Sequence, residues 1–144
     1  DAFDFDEISY KFFNDDGTVN ESIGVSLKEF HGSYKSNNLT AIMEYGNISY
    51  TDNTSADGTS GYYIDVGYDI SEVMGCKGKL IPWFRYSNIQ KDVDDANSHY
   101  DVMKFGLSYS PINEIAFKLD YGTKTYKNDV NNGSSINIGM GYMF

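Results

Sequence analysis

Along most of this chain, apolar residues recur at every second position. The clearest run is the last, where Ile136, Ile138, Met140, Tyr142 and Phe144 alternate with Asn137, Gly139, Gly141 and Met143. That two-residue period belongs to a β-strand with one greasy face. Ile115, Phe117, Leu119 and Tyr121 repeat it against Ala116, Lys118, Asp120 and Gly122. The same alternation predicts strands at Met103–Tyr109, Leu80–Tyr86, Tyr62–Tyr68 and Leu39–Tyr45. Phe30, Gly32 and Tyr34 carry a further strand, and Ile8, Tyr10 and Phe12 the first. Val25 and Leu27 stand out of phase with Phe30 and Tyr34, which predicts a bulge or a later strand start.

Eight strands joined by alternating connections are therefore expected. Asn14–Ser22, Thr51–Ser60, Lys91–His99 and Lys127–Gly133 are long and polar, whereas Ser36–Asn38 and Ser110–Asn113 are short. Ile70–Gly78 is intermediate. Short turns at one end and long loops at the other describe an all-β, antiparallel up-and-down barrel. Residues 1–144 form one domain of it. With no leader segment at Asp1, the chain is expected to be a mature form or a fragment.

Aromatic positions change this picture from a generic barrel to a membrane barrel. Tyr34, Tyr68, Tyr109, Tyr142 and Phe144 fall near the short-turn end of the greasy face. Tyr10, Phe12, Tyr45, Tyr62, Tyr86 and Tyr121 fall toward the long loops. Two aromatic belts bracketing aliphatic residues are the interfacial girdles of a transmembrane β-barrel. A small soluble barrel would have to pack the same rings inside, and eight strands leave too little room. No run approaches the ~20 apolar residues of a membrane helix, which says nothing against strands.

Charge and chemistry add exclusions. The net charge of −10 argues against nucleic acid as a partner. The single Cys76 forms no internal disulfide, and no Cys/His cluster has zinc spacing. Catalytic motifs are missing, so no enzyme and no cofactor are expected. His31 beside Glu29 is one imidazole and one carboxylate, read as interior hydrogen bonding rather than a site. Asp92, Asp94, Asp95 and Asn97 lack calcium-loop spacing and read as a solvated acidic loop.

The face opposite the greasy one carries the candidate lumen residues: Glu44, Asp65, Asp69, Arg85, Lys104, Lys118 and Asp120. Their charges nearly balance. In a closed eight-stranded barrel they would pair and plug the interior. In a wider barrel they would line water and set ion preference.

Several segments resemble one family. They are Phe30-His31-Gly32-Ser33-Tyr34-Lys35, Gly61-Tyr62-Tyr63-Ile64-Asp65-Val66-Gly67-Tyr68-Asp69 and Leu80-Ile81-Pro82-Trp83-Phe84-Arg85-Tyr86. Asn113-Glu114-Ile115-Ala116-Phe117-Lys118-Leu119-Asp120-Tyr121 and the terminal Gly-Tyr-Met-Phe join them. Over residues 23–144 the chain resembles the C-terminal part of bacterial porins of the phosphate-selective (O/P-like) class. The resemblance implies a larger parent barrel with about twice as many strands, homotrimers, and passive diffusion of small solutes across the bacterial outer membrane. It also implies that Tyr142 and Phe144 belong to a signal read by the barrel assembly machinery. The mixed charge of the lumen face departs from a phosphate-selective lining. Two alternatives are a self-contained, plugged eight-stranded barrel acting in adhesion or envelope structure, and a soluble ligand-binding barrel.

Overall fold

The computed structural model describes residues 8–13, 19–51, 57–128 and 132–143, with side chains from Gly24 onward. They form one antiparallel meander. The body of the sheet is β2 (Val19–Ser36), β3 (Leu39–Thr51), β4 (Gly58–Tyr68), β5 (Lys79–Gln90), β6 (His99–Ile112), β7 (Ile115–Tyr126) and β8 (Gly133–Tyr142). A short β1 (Ile8–Phe13) pairs along the start of β2. Every strand neighbours the next in sequence, so the topology is up-and-down throughout.

Local chemistry explains the turns. The β2–β3 connection is Asn37-Asn38, and Asn37 takes φ 50, a left-handed conformation that asparagine tolerates. Between β4 and β5 lies a single helical turn, α1 (Ser71–Met74), closed by Gly75 at φ 62. The β6–β7 hairpin is tighter than expected. β6 runs through Pro111 to Ile112, and its register shifts between Tyr109 and Ile112. Proline is accommodated at such an irregularity because no ladder N–H is required of it there.

Two expectations need correction. The register from Gly24 to Ser36 against β3 is unbroken, so β2 has no bulge between Leu27 and Phe30. Val25 and Leu27 therefore project from the polar face, opposite Tyr50 and Ile48. Nor does the sheet close on itself. Among the described residues β8 pairs only with β7, and β1 only with β2. Among the described residues the sheet is open rather than a closed barrel. Its far edges carry no mutual register, and β1 reaches only the long-loop half of β2.

Among the described residues the sheet has no second layer. Among the described residues Tyr100 is the one large apolar side chain that is buried, while Ile138 stays 84% exposed. A folded chain in water hides such a face against another element. Among the described residues no helix is long and apolar enough to cross a membrane.

Candidate pore-lining face

Antiparallel pairing puts register partners on the same face, so the pairing alone sorts the side chains. One face carries the aromatic and aliphatic residues. Tyr45 lies opposite Tyr62. Tyr62 lies opposite Asn88, so Tyr86 stands two residues closer to the short-turn end. Tyr86 lies opposite Met103, and Met103 opposite Thr123, so Tyr121 stands two residues closer again. The tyrosines nearest the long loops thus fall on a line that drops two residues with each pair of strands.

The lower line does the same. Tyr34 is level with Ala41 and Val66, and Tyr68 lies two residues beyond. Leu107 pairs with Pro82, and Tyr109 lies two residues beyond. Tyr109 is level with Phe117 and Met140, and Tyr142 lies two residues beyond. Two parallel aromatic lines are therefore inclined to the ladder by the same amount. One residue of slip per strand is about 3.3 Å against a strand spacing of about 4.8 Å, a tilt of roughly 35°. Rings pair along this face: Tyr62 with Tyr86 at 6.0 Å and Phe84 with Phe105 at 4.9 Å between centroids.

The opposite face carries the polar candidates. Asp65, Arg85 and Lys104 are consecutive register partners. The Arg85 Nε donates to Asp65 Oδ1 at 2.6 Å, and a second guanidinium nitrogen donates to Asp65 Oδ2. The guanidinium also lies 4.7 Å from the centre of the Tyr63 ring. Tyr63 in turn donates to Glu44 Oε2 at 2.8 Å. This Glu44–Tyr63–Arg85–Asp65 chain crosses three strands. Arg85 keeps 42% of its side-chain surface exposed, so the pair resembles a surface ion pair worth about 0–1 kcal/mol rather than a buried plug.

The other candidates do not join that network. Asp120 accepts from the Asn137 amide at 2.7 Å on β8. Lys104 lays its stem against Gly122, and Lys118 stands opposite Ser108 and Gly139. Among the described residues neither lysine enters an ion pair. Acids predominate on β2–β4 (Glu29, Glu44, Asp65) and bases on β5–β7 (Arg85, Lys104, Lys118, Lys124), with Lys35 and Asp120 the exceptions. Asp69 is not on the wall. It lies past the end of β4, and its Oδ1 accepts from the N–H groups of Ser71 and Leu80. Hydrogen bonds from Ser71, then from Leu80, with the Lys79 charge, hold its carboxyl below the ordinary carboxylate range. Tyr142 sits on the apolar face of β8 opposite Ile115. Phe144 lies outside the described residues.

Alternation alone did not single out three features of this polar face. Trp83 covers Gly106 so closely that a methyl there would overlap its ring. Glycine is concentrated on this side, at 46, 61, 67, 106, 122, 139 and 141. Near the long loops the face turns apolar, with Leu27, Ile48, Ile89, Tyr100 and Tyr126 on β2, β3, β5, β6 and β7, while β4 places Thr59 and Gly61 between them. There the Lys124 ammonium sits 3.8 Å from the Tyr100 ring centre and 4.5 Å from that of Tyr126. The out-of-phase Val25 and Leu27 were the sequence signal for this reversal.

In the β5–β6 loop the acidic side chains serve the backbone. Asp92 accepts from the Asp94 N–H and Asp95 from the Asn97 N–H. Partial desolvation, then the neighbouring Asp57, raises the Asp94 carboxyl. No group of metal-ligating side chains occurs among the described residues.

No family model, curated protein or solved structure matches the chain. The likeness to phosphate-selective porins therefore rests on the strand motifs alone.

Proposed function

We propose that this chain is part of an outer-membrane, porin-type β-barrel that lets small hydrophilic solutes and ions diffuse along its polar face. One observation carries the reading: the two aromatic lines run parallel, on one face, at the tilt that strands adopt in a membrane barrel. A soluble sheet has no reason to align tyrosines obliquely to its own ladder. Rings at two lipid–water boundaries do.

Further support comes from the polar face. Glycine and close ring-on-backbone packing relieve crowding, as the inner side of a curved wall requires. Among the described residues Lys104 and Lys118 stay unpaired, which is affordable only where water reaches them. This favours a wide lumen over a plugged one. The open β8 edge then pairs with further strands of a larger barrel, and outer-membrane lipid and the assembly machinery are the partners. Homotrimer formation belongs to the same proposal and rests on the resemblance.

The protein reconstituted with its parent barrel into a planar bilayer tests the reading. Stepwise conductance that persists with charged solutes of a few hundred daltons is expected. A silent bilayer, together with a chain that stays folded and monodisperse without detergent, overturns it.

A further inference from the structure

Gly46 and Gly61 are register partners on the polar face, and together they leave a gap two residues wide. On the long-loop side the gap is walled by Leu27 and Ile48, and at its end by Ile89. On the short-turn side stand Glu44 and Tyr63, with Glu29 beside Gly46. The resulting depression holds about 320 Å³, the lower end of the range for small-molecule sites. Its floor is bare peptide backbone. A flat floor between aliphatic walls accepts a planar ring. Glu29 closes the end opposite Ile89 and Glu44 adjoins it on the short-turn side, so the carboxylates share one corner, and Glu44 already receives the Tyr63 hydroxyl, which fixes its position. The nearest arginine, Arg85, is engaged by Asp65.

We propose that this depression is a binding site for small aromatic monoammonium compounds, arylalkylamines in class. The ring lies on Gly46 and Gly61 between Leu27, Ile48 and Ile89. The ammonium meets Glu29 and Glu44. The site would give the pore a preference among solutes at its long-loop end. It rests on the reading that this face meets water, and nothing in it requires the family resemblance.

The test uses phenethylammonium, with 2-phenylethanol and phenylacetate as neutral and anionic counterparts, titrated into the detergent-solubilised protein by calorimetry. Phenethylammonium is expected to bind at least about tenfold more tightly than either counterpart. A Cβ added at Gly46 meets nothing within 4 Å, so Gly46→Leu is expected to fill the gap without moving the backbone. It should weaken binding at least about tenfold. Glu29→Gln and Glu44→Gln should each weaken it about threefold, because the charges are partly exposed. Equal binding of the three probes means apolar sorption and overturns the proposal, as does an unchanged affinity in Gly46→Leu. A second readout separates this inference from the one beneath it. In a Cys76→Ser background, Gly46→Cys should react with a cationic methanethiosulfonate in preference to an anionic one. The rate ratio should exceed that at Gly139→Cys, which faces Lys118, by about threefold or more. Reaction without ligand binding sinks the amine site alone. No reaction with either reagent sinks the water-facing reading and the site with it.

Discussion

The two ends of these strands obey opposite rules. From the lower tyrosine line to the upper one, the outer face is apolar and the inner face polar, as with Leu107 and Phe105 outside and Arg85 and Lys104 inside. Beyond the upper line the assignment reverses. Lys28, Asn47, Ser60 and Gln90 then occupy the outer face, while Leu27, Ile48, Ile89 and Tyr100 occupy the inner. The backbone does not change between the two zones, since the ladder runs through unbroken. On the proposed membrane reading, what changes is the solvent each face meets. A strand that crosses lipid and continues into water keeps its pleat but exchanges the chemistry of its two sides.

The strongest way to break that comparison is to put the same charge on both zones. On the membrane reading Leu107→Arg falls in the lipid band and should cost about 2–4 kcal/mol in bilayer-supported unfolding. Leu27→Arg, on the inner face above the band, should cost no more than about 1 kcal/mol. Equal penalties in urea titrations of vesicle-inserted protein would erase the boundary. A spectroscopic version follows from Trp83, the one tryptophan. Its ring lies over Gly106 on the inner face, so brominated lipid should leave its emission nearly unchanged. In a Trp83→Phe background, Leu107→Trp should be quenched several-fold more. Strong lipid quenching of Trp83 would reverse the assignment of faces.

Smaller effects sharpen the inner face. Arg85→Gln with Lys118→Gln removes two positive charges beside the pathway. Reversal potentials in a salt gradient should then shift toward cations, by about threefold in permeability ratio. No shift would take both residues off the route. Least is expected of Asp69, whose carboxyl is held low by Ser71, Leu80 and Lys79. Its contribution is present above the unfolded carboxylate pKa of about 3.9 and is lost as pH falls through the lower folded value. Asp69→Asn should therefore flatten the acid dependence of amide protection in α1 and at Leu80, with no effect at neutral pH on their neighbours in β6. A wild-type profile already flat below pH 4 would show that the two hydrogen bonds do not order this turn.

Alternation made the strands and faces between the two tyrosine lines legible, because Tyr62–Tyr68 and Met103–Tyr109 keep one chemistry on each side along their whole length. It failed where a strand leaves that band. Val25 and Leu27 looked like a register fault because one rule was applied across two environments. Asp69 shared the phase of Asp65, and so looked like a wall residue. Period counting cannot register that β4 ends at Tyr68 and that the next carboxylate is drawn into a turn. The tilt was hidden too, since the slip of two residues per strand pair appears only once the register is known. Closure depends on what lies beside β8, which no pattern inside a strand encodes.

That slip has a consequence for how such a wall can grow. Because the aromatic lines step down by the same amount with every pair of strands, the repeating unit is the hairpin. Duplicating or deleting a whole hairpin such as β5–β6 leaves Tyr45, Tyr62 and Tyr121 on one continuous line once the flanking strands re-pair. Removing a single strand reverses the direction of everything that follows and sends its long loops to the wrong side. In a barrel built from such a sheet, circumference would be free to change by gene duplication in steps of two strands. The height of the wall and the chemistry of its two surfaces remain fixed within each hairpin.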